Sequence, residues 1–121
     1  DIDRIPYMAP GLVGAEKASK GKTPTDSWWH TIVSPNGREK TGYPTQKPLG
    51  IINRIIRVHS NPGDVILDYF AGSGTTGIAA LAEGRKAILV DNNHQALEVM
   101  CKRFDANQTT FHNWDCKNPT D

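Results

Sequence analysis

The sequence has few of the residues that mark several common classes of protein. Its two cysteines, Cys101 and Cys116, are too few for a disulfide framework, and they do not form the Cys-x-x-Cys pairs typical of zinc sites. This scarcity favours a reducing, cytoplasmic setting. The longest uncharged stretch, residues 69–82, is rich in Gly, Ser and Thr, and it is shorter than the roughly 20 apolar residues of a membrane-spanning helix. We therefore expect neither a transmembrane helix nor a scaffold held by disulfides.

An excess of charge of one sign is also missing. The 14 Lys and Arg residues nearly balance the 13 Asp and Glu residues, which gives a net charge of +1. Modules that bind nucleic acid by themselves are usually strongly basic. Any affinity for DNA must therefore come from a local patch or from segments outside this chain. With 121 residues, of which 37% are hydrophobic, the chain has the size and composition of one globular domain or a piece of one.

The chain divides into two regions that differ in their density of helix-breaking residues. Residues 1–47 contain five prolines and five glycines, and this density predicts a loop-rich segment with room for one short strand at 30–33. Residues 48–121 show regular apolar patterns. They predict helices at 48–59, 75–83 and 94–105, a strand that begins at 65–67 and ends within 68–70, a second strand at 87–90, and the start of a third strand at 109–111.

The alternation of helix and strand indicates half of a doubly wound α/β fold. The two main strands are short apolar runs, which is typical of strands buried on both faces of a parallel sheet. Gly84 follows the second helix and suits a left-handed C-terminal cap.

A glycine-rich turn carries the strongest functional signal. Residues 72–77 match G-x-G-x-x-G directly after a predicted strand and at the start of a helix, and Asp91 follows about 20 residues later at the end of the next strand. Glycines let a ligand approach the backbone, and such an acid can accept the hydroxyls of a ribose. The pattern favours a nucleoside-containing cofactor, either a dinucleotide or S-adenosylmethionine. Asp68 favours the second, because its carboxylate would repel a pyrophosphate but attract an ammonium group.

The glycines and the two aspartates also have purely structural explanations. The glycines could serve only to let the helix and strand pack closely, and Asp91 could cap the next helix. Asp68 could accept hydrogen bonds from amides of the glycine turn.

Four segments resemble the amino-group DNA methyltransferases, which methylate adenine N6 or cytosine N4. Residues 68–76, D-Y-F-A-G-S-G-T-T, resemble their D-P-F-x-G-S-G-T-T signature. Residues 43–48, Y-P-T-Q-K-P, resemble H-P-T-Q-K-P, and residues 26–28, D-S-W, resemble D-V-W. Residues 84–91 resemble the Gly-Arg, strand and acid that follow the signature. The departures, at Ser27, Tyr43, Tyr69 and Asp91, remove no needed charge.

The resemblance implies a partial Rossmann-like, S-adenosylmethionine-dependent methyltransferase fold with a loop-rich N-terminal segment. The cofactor would be S-adenosylmethionine, with its methionine carboxylate near Lys47, its ammonium group near Asp68 and its ribose at Asp91. The cofactor-binding residues that it implies are Thr45, Gln46, Lys47, Asp68, Tyr69, Phe70, Ala71, Gly72, Ser73, Gly74, Thr75, Thr76, Asp91 and Asn92.

The family's catalytic tetrapeptide, D-P-P-Y or S-P-P-Y, does not occur in these 121 residues. The resemblance therefore implies the C-terminal, cofactor-binding part of such an enzyme, with DNA as the partner of the complete protein and the catalytic motif in a missing N-terminal portion or a partner chain. The chain alone is not expected to transfer methyl groups, and a half sheet is expected to self-associate. Two alternatives remain: a non-catalytic S-adenosylmethionine-binding or assembly module, and a fragment that binds NAD.

Overall fold

The computed structural model describes residues 4–105, 107–114 and 116. A 3₁₀ turn at Pro10–Leu12 precedes six helices and strands, which are α1 (Ala15–Lys20), α2 (Leu49–His59), β1 (Val65–Asp68), α3 (Thr75–Ala82), β2 (Lys86–Leu89) and α4 (His94–Arg103). The helices and strands expected between residues 48 and 105 are present with small shifts at their ends. Gly84 has a φ of 73° and closes α3 as expected.

β1 and β2 form a two-stranded parallel sheet. Val65 is opposite Lys86 at one end of the pair, and Asp68 is opposite Leu89 at the other. Two parallel strands need a crossover connection, and α3 supplies it. Both strands therefore end at the same edge of the sheet, which brings the residues that follow β1 next to those that follow β2.

Two small apolar cores hold the elements together. In the first, Ile56 of α2 packs against Ala79 and Ala80 of α3, with Ile66 and Ala87 from the sheet beside them. The alanines let the helix and the sheet approach closely. The second core is built from Ala71, Ala96 and Met100, and its half-buried neighbours are Tyr43, Leu89, Leu97, Phe104 and Phe111. It packs α4 against the turn that follows β1.

The other face of the sheet is uncovered, so the prediction of strands buried on both faces is wrong. Val65 and Ile88 are each 55% exposed, Leu67 is 48% exposed and Val90 is 44% exposed. A period-two pattern explains this: Ile66 and Ala87 face the helices, while their neighbours along each strand face the opposite side. In the described part of the chain, the helices pack on one side of the sheet only.

Two expected strands are absent from the described residues. Residues 30–33 form no strand or bridge, and the His30 ring lies in the space that a side chain on Gly50 would fill. Residues 109–111 form no strand either, although the side chain of Phe111 packs against the second core. Short apolar runs become strands only where a neighbouring edge accepts their hydrogen bonds.

The cysteines also differ from expectation, because Cys101 and Cys116 form a disulfide with a Cα–Cα distance of 5.6 Å. Cysteine counting did not predict this pair, since only the return of the chain after α4 brings the two residues together. Among the described residues, no helix has the length and apolar character needed to cross a membrane.

Candidate functional site

The turn between β1 and α3 is held by its own backbone. The Ala71 amide donates to the carbonyl of Val90 at 3.1 Å, which ties the turn to the end of β2. The Gly74 amide donates to the carbonyl of Ala71 at 2.8 Å, which closes the turn on itself. Gly72 and Gly74 have φ angles of 51° and 74°, a left-handed conformation that glycine adopts at little cost.

Asp91 lies at the mouth of this turn, as the sequence predicts. Its Oδ2 accepts the Gly72 amide at 2.7 Å, and its Oδ1 accepts the Asn93 amide at 2.9 Å. Asn93 in turn caps α4 by accepting the amide of Gln95. One carboxylate thus joins the turn to the start of α4, while Asn92 beside it is exposed.

Asp68 holds the other side of the turn. Its Oδ1 accepts the Phe70 amide at 2.9 Å, and its Oδ2 accepts the Thr76 hydroxyl at 2.6 Å. The alternative in which Asp68 caps the turn is therefore realised. Each carboxylate oxygen carries two lone pairs, so this bonding leaves acceptor capacity on both aspartates.

The three glycines of the motif each allow a close contact. A Cβ on Gly72 would lie 3.1 Å from Cε1 of Tyr43. A Cβ on Gly74 would lie 2.7 Å from Cε2 of Phe104, and one on Gly77 would lie equally close to both Phe104 and Leu89. Close packing is therefore a requirement for these glycines within the fold, in addition to any ligand.

The segment that contains T-Q-K-P is braced mainly by Gln46. Its Oε1 accepts the Thr41 amide at 2.8 Å and the Thr41 hydroxyl at 2.7 Å, and its Nε2 donates to the carbonyl of Glu39 at 2.7 Å. The Glu39 carboxylate accepts the Leu49 amide at the start of α2. Because the Tyr43 ring packs against Gly72, this braced loop sits directly on the glycine turn.

The remaining expected site residues divide into exposed and buried groups. Phe70 is 92% exposed and Tyr69 is 64% exposed, at the edge where both strands end. Ser73 and Thr75 are buried, and their hydroxyls lie 3.1 Å apart. Thr45 and Lys47 are exposed, and Nζ of Lys47 lies 3.5 Å from the Thr45 carbonyl, at the limit of a hydrogen bond.

The structure thus brings the two aspartates and the glycine turn together, with the T-Q-K-P loop alongside. It shows the ammonium group of Lys47 in solvent. In the described ranges, no three His, Cys, Asp or Glu side chains are close enough together to hold a metal ion.

One residue at the turn was missed by sequence reasoning. Nη1 of Arg103, in the last turn of α4, donates to the carbonyl of Ser73 at 2.6 Å and lies 3.2 Å from Oγ1 of Thr75. Burial lowers the pKa of Arg103 below its usual value, and the carboxylate of Glu39 acts in the opposite direction. A basic residue at a helix C-terminus is explained by the helix dipole alone, so the sequence gives no sign of this contact.

Comparisons with known proteins agree on one family. Residues 5–102 match the profile of a family described as DNA methylase, of the N6/N4 type. The DNA adenine methyltransferase YhdJ of Escherichia coli (strain K12) is 43% identical over 84 residues, which are 69% of this chain and 29% of YhdJ. The type II methyltransferase M2.DpnII of Streptococcus pneumoniae is 36% identical over 95 residues, which are 78% of this chain and 35% of M2.DpnII.

A solved structure supports the same assignment. The crystal structure of the M1.HpyAVI–SAM complex matches with a TM-score of 0.55 and 36% sequence identity, over 69% of this chain and 45% of that one. The fold is accordingly a partial Rossmann-like methyltransferase fold, as expected. The chain spans about a third of the length of the two curated relatives. The match over residues 5–102, together with the glycine turn and its two aspartates, shows that this chain belongs to the N6/N4 family of DNA methylases.

Proposed function

We propose that this chain is the cofactor-binding part of a DNA methyltransferase and that it binds S-adenosylmethionine at the turn between β1 and α3. The observation that carries the proposal is the hydrogen bond from the Gly72 amide to Asp91, at 2.7 Å. It places a carboxylate with remaining acceptor capacity beside a turn that has no side chain at Gly72. A ribose with two neighbouring hydroxyls matches such an acceptor.

The amino-acid end of the cofactor carries an ammonium and a carboxylate group. Asp68 offers a negative charge at the end of β1, and Lys47 offers a positive charge on the loop that Tyr43 packs against the turn. Lys47 has a flexible, exposed side chain, and we assign it to the carboxylate of the bound cofactor. The side-chain amide of Gln46 forms hydrogen bonds with residues 39 and 41. We therefore propose that Gln46 holds Thr45 and Lys47 in place.

A dinucleotide fits this charge arrangement less well. Asp68 lies at the end of β1 beside the turn, and its carboxylate opposes the approach of a doubly charged pyrophosphate. For this reason we place NAD below S-adenosylmethionine as a ligand.

When bound, S-adenosylmethionine supplies an electrophilic methyl group on its sulfonium. In the complete enzyme we propose that the acceptor is the exocyclic amine of adenine or cytosine in DNA, which leaves S-adenosylhomocysteine and a released proton. This chain contributes the cofactor seat. The groups that hold the base belong to the catalytic tetrapeptide, which we place in the remainder of the enzyme or a partner chain. The boundary between a loop-rich segment at 1–47 and the cofactor half at 48–121 is part of this proposal.

The uncovered sheet face supports a larger assembly. Val65, Leu67, Ile88 and Val90 present a continuous apolar surface, which in a folded protein usually marks a contact with other chain. The same face favours the second candidate function, a non-catalytic S-adenosylmethionine-binding or assembly module that a partner chain completes.

We propose a cytoplasmic location. Disulfides are rare there, but neither cysteine belongs to the site, so reduction of the pair would leave the cofactor seat in place.

Titration calorimetry with S-adenosylhomocysteine tests the cofactor assignment, with NAD as the comparison ligand. We expect saturable binding of the first and no heat of binding from the second. Binding of NAD alone would contradict the proposal and favour a dinucleotide-binding function.

An assay of tritiated methyl transfer to DNA tests the absence of catalytic groups. We expect no incorporation above the protein-free control, and incorporation by this chain alone would show that the catalytic groups are present in it.

A further inference from the structure

Arg103 contacts the glycine turn from the buried side. Its Nη1 donates to the carbonyl of Ser73 at 2.6 Å and lies 3.2 Å from Oγ1 of Thr75. Ser73 and Thr75 are only 2% and 4% exposed. A guanidinium group at this position therefore reaches atoms of the turn that solvent does not reach.

The peptide unit between Ser73 and Gly74 is held at both ends. Its carbonyl accepts from Arg103, and its N–H donates to the carbonyl of Ala71 at 2.8 Å. Gly74 has a φ of 74° and a ψ of 21°, and it is the residue from which α3 starts. Glycine is the most flexible residue in this region of backbone space, so these two bonds fix a peptide that would otherwise rotate easily.

The same contact links three elements around the proposed cofactor seat. Arg103 belongs to α4, Ser73 and Thr75 belong to the turn and α3, and Glu39 of the T-Q-K-P loop is close enough to Arg103 to interact electrostatically. Charged hydrogen bonds to buried acceptors are stronger than neutral ones. Loss of the guanidinium leaves a buried carbonyl without its donor.

We propose that Arg103 is a positioning residue for cofactor binding, which preorganises the turn at 72–75 by fixing the Ser73–Gly74 peptide. This inference rests on the proposed function. Arg103 does not itself contact the cofactor, so its effect is on the affinity of the turn and not on the chemistry of the reaction.

The test compares four forms of the 121-residue chain: wild type, Arg103→Met, Arg103→Lys and the matched control Lys102→Met. Lys102 is an exposed neighbour on α4, and its replacement removes the same charge. The affinity for S-adenosylhomocysteine is measured by calorimetry at a temperature where thermal unfolding shows each form to be folded. We expect an affinity about tenfold weaker for Arg103→Met, which corresponds to the loss of one charged hydrogen bond.

Arg103→Lys keeps the charge and one donor group, so we expect it to restore part of the affinity and to bind about threefold more weakly than wild type. Lys102→Met should bind as wild type does. Hydrogen exchange of the Gly72 and Gly74 amides should be faster in both Arg103 variants. A general loss of stability would speed exchange throughout the chain, whereas loss of this contact should speed it mainly at the turn. If Arg103→Met does not fold, the affinity and amide exchange of Arg103→Lys decide the question.

Two different failures are distinguishable. Wild type that binds no S-adenosylhomocysteine would overturn the proposed function, and this inference with it. Wild type that binds, together with a folded Arg103→Met form of equal affinity, would overturn the role of Arg103 alone. Unchanged affinity and turn exchange in Arg103→Lys would do the same.

Discussion

Gly74 illustrates how much a single residue determines at this site. Its φ of 74° is unfavourable for any residue with a side chain, and a Cβ would lie 2.7 Å from Phe104 and 2.9 Å from Met100. We expect Gly74→Ala to lower the free energy of unfolding by about 2 kcal/mol or more, from backbone strain and overpacking together. Urea unfolding measures the change.

A matched control for this substitution exists in the same chain. The φ angle of Gly11 is not positive, and no atom lies within 4 Å of the position that a Cβ on Gly11 would occupy. Gly11→Ala should therefore change the free energy of unfolding by less than about 0.5 kcal/mol. Equal effects at the two positions would show that the turn is not under the constraint described.

Asp91 is the residue on which the cofactor proposal depends most. Both of its oxygens accept backbone amides, and an asparagine would place an NH₂ group opposite one of these donors. We expect Asp91→Asn to weaken binding of S-adenosylhomocysteine by about tenfold, because a backbone amide at the turn loses its charged acceptor and the ribose loses a charged partner. Calorimetry on the folded variant measures this.

Glu16→Gln removes one negative charge from the exposed face of α1, where Glu16 pairs with Lys20. An exposed ion pair contributes little, so this control should bind S-adenosylhomocysteine as wild type does. If Asp91→Asn binds as tightly as Glu16→Gln, the ribose is not held at Asp91.

The position of Asp91 could be predicted because a strand pattern ends immediately before it. Its bond to Gly72 could not, since that contact requires β1 and β2 to be adjacent and parallel. The contact of Arg103 with Ser73 could not be predicted from the sequence either, because it joins residues 30 apart along the chain.

At the scale of the elements, a buried arginine just before β2 adds hydrogen bonds to the end of α2, beside the apolar contacts of the first core. Arg85, only 7% exposed, donates through Nε to the Ser60 hydroxyl at 3.1 Å and through Nη2 to the Ser60 carbonyl at 2.6 Å. We expect Arg85→Met to lower the free energy of unfolding by about 1 to 3 kcal/mol, because two half-buried acceptors on Ser60 lose their charged donor. Thermal or urea unfolding measures it.

The neighbouring residue Lys86 provides the comparison, since its side chain is exposed. Lys86→Met removes the same charge and should leave stability nearly unchanged. A small effect at Arg85 would mean that α2 and β2 are held by their apolar contacts alone.

The helices were easier to predict than the shortest strands. α2 has apolar residues at helical spacing, and its boundaries follow from Pro48 and the turn residues after His59. Residues 30–33 and 109–111 have strand-like composition, but they find no partner in the described residues. Pairing is a tertiary property, which composition does not contain.

At the scale of the whole molecule, one sheet face carries exposed apolar side chains among the described residues. Leu67 and Ile88 are 48% and 55% exposed on adjacent strands. We expect the isolated chain to self-associate in a concentration-dependent way, and the double variant Leu67→Lys with Ile88→Lys to shift it toward the monomer. Sedimentation velocity at several concentrations measures the change.

Leu12→Lys is the control, because Leu12 is 87% exposed in the N-terminal segment, away from this sheet. It should leave the sedimentation behaviour unchanged. A wild-type chain that stays monomeric at every concentration would argue against the assembly proposed for this face.

The fold class followed from the alternation of helix and strand, and the expectation of self-association followed from recognising half of a sheet. The prediction of strands covered on both sides failed because apolar composition does not tell which chain supplies the cover. The aligned part of this chain spans only about a third of the two curated relatives, so the residues that would cover this face need not be among the 121 of the chain.

The most direct measurement maps where the cofactor binds. Amide chemical shifts of the isotope-labelled chain, recorded by NMR with and without S-adenosylhomocysteine, locate the contact residue by residue. We expect the largest changes at 68–76, at Asp91 and Asn92, and at 45–47. Changes concentrated elsewhere, for example along α1, with the turn after β1 unaffected, would contradict the assignment of this turn as the cofactor seat.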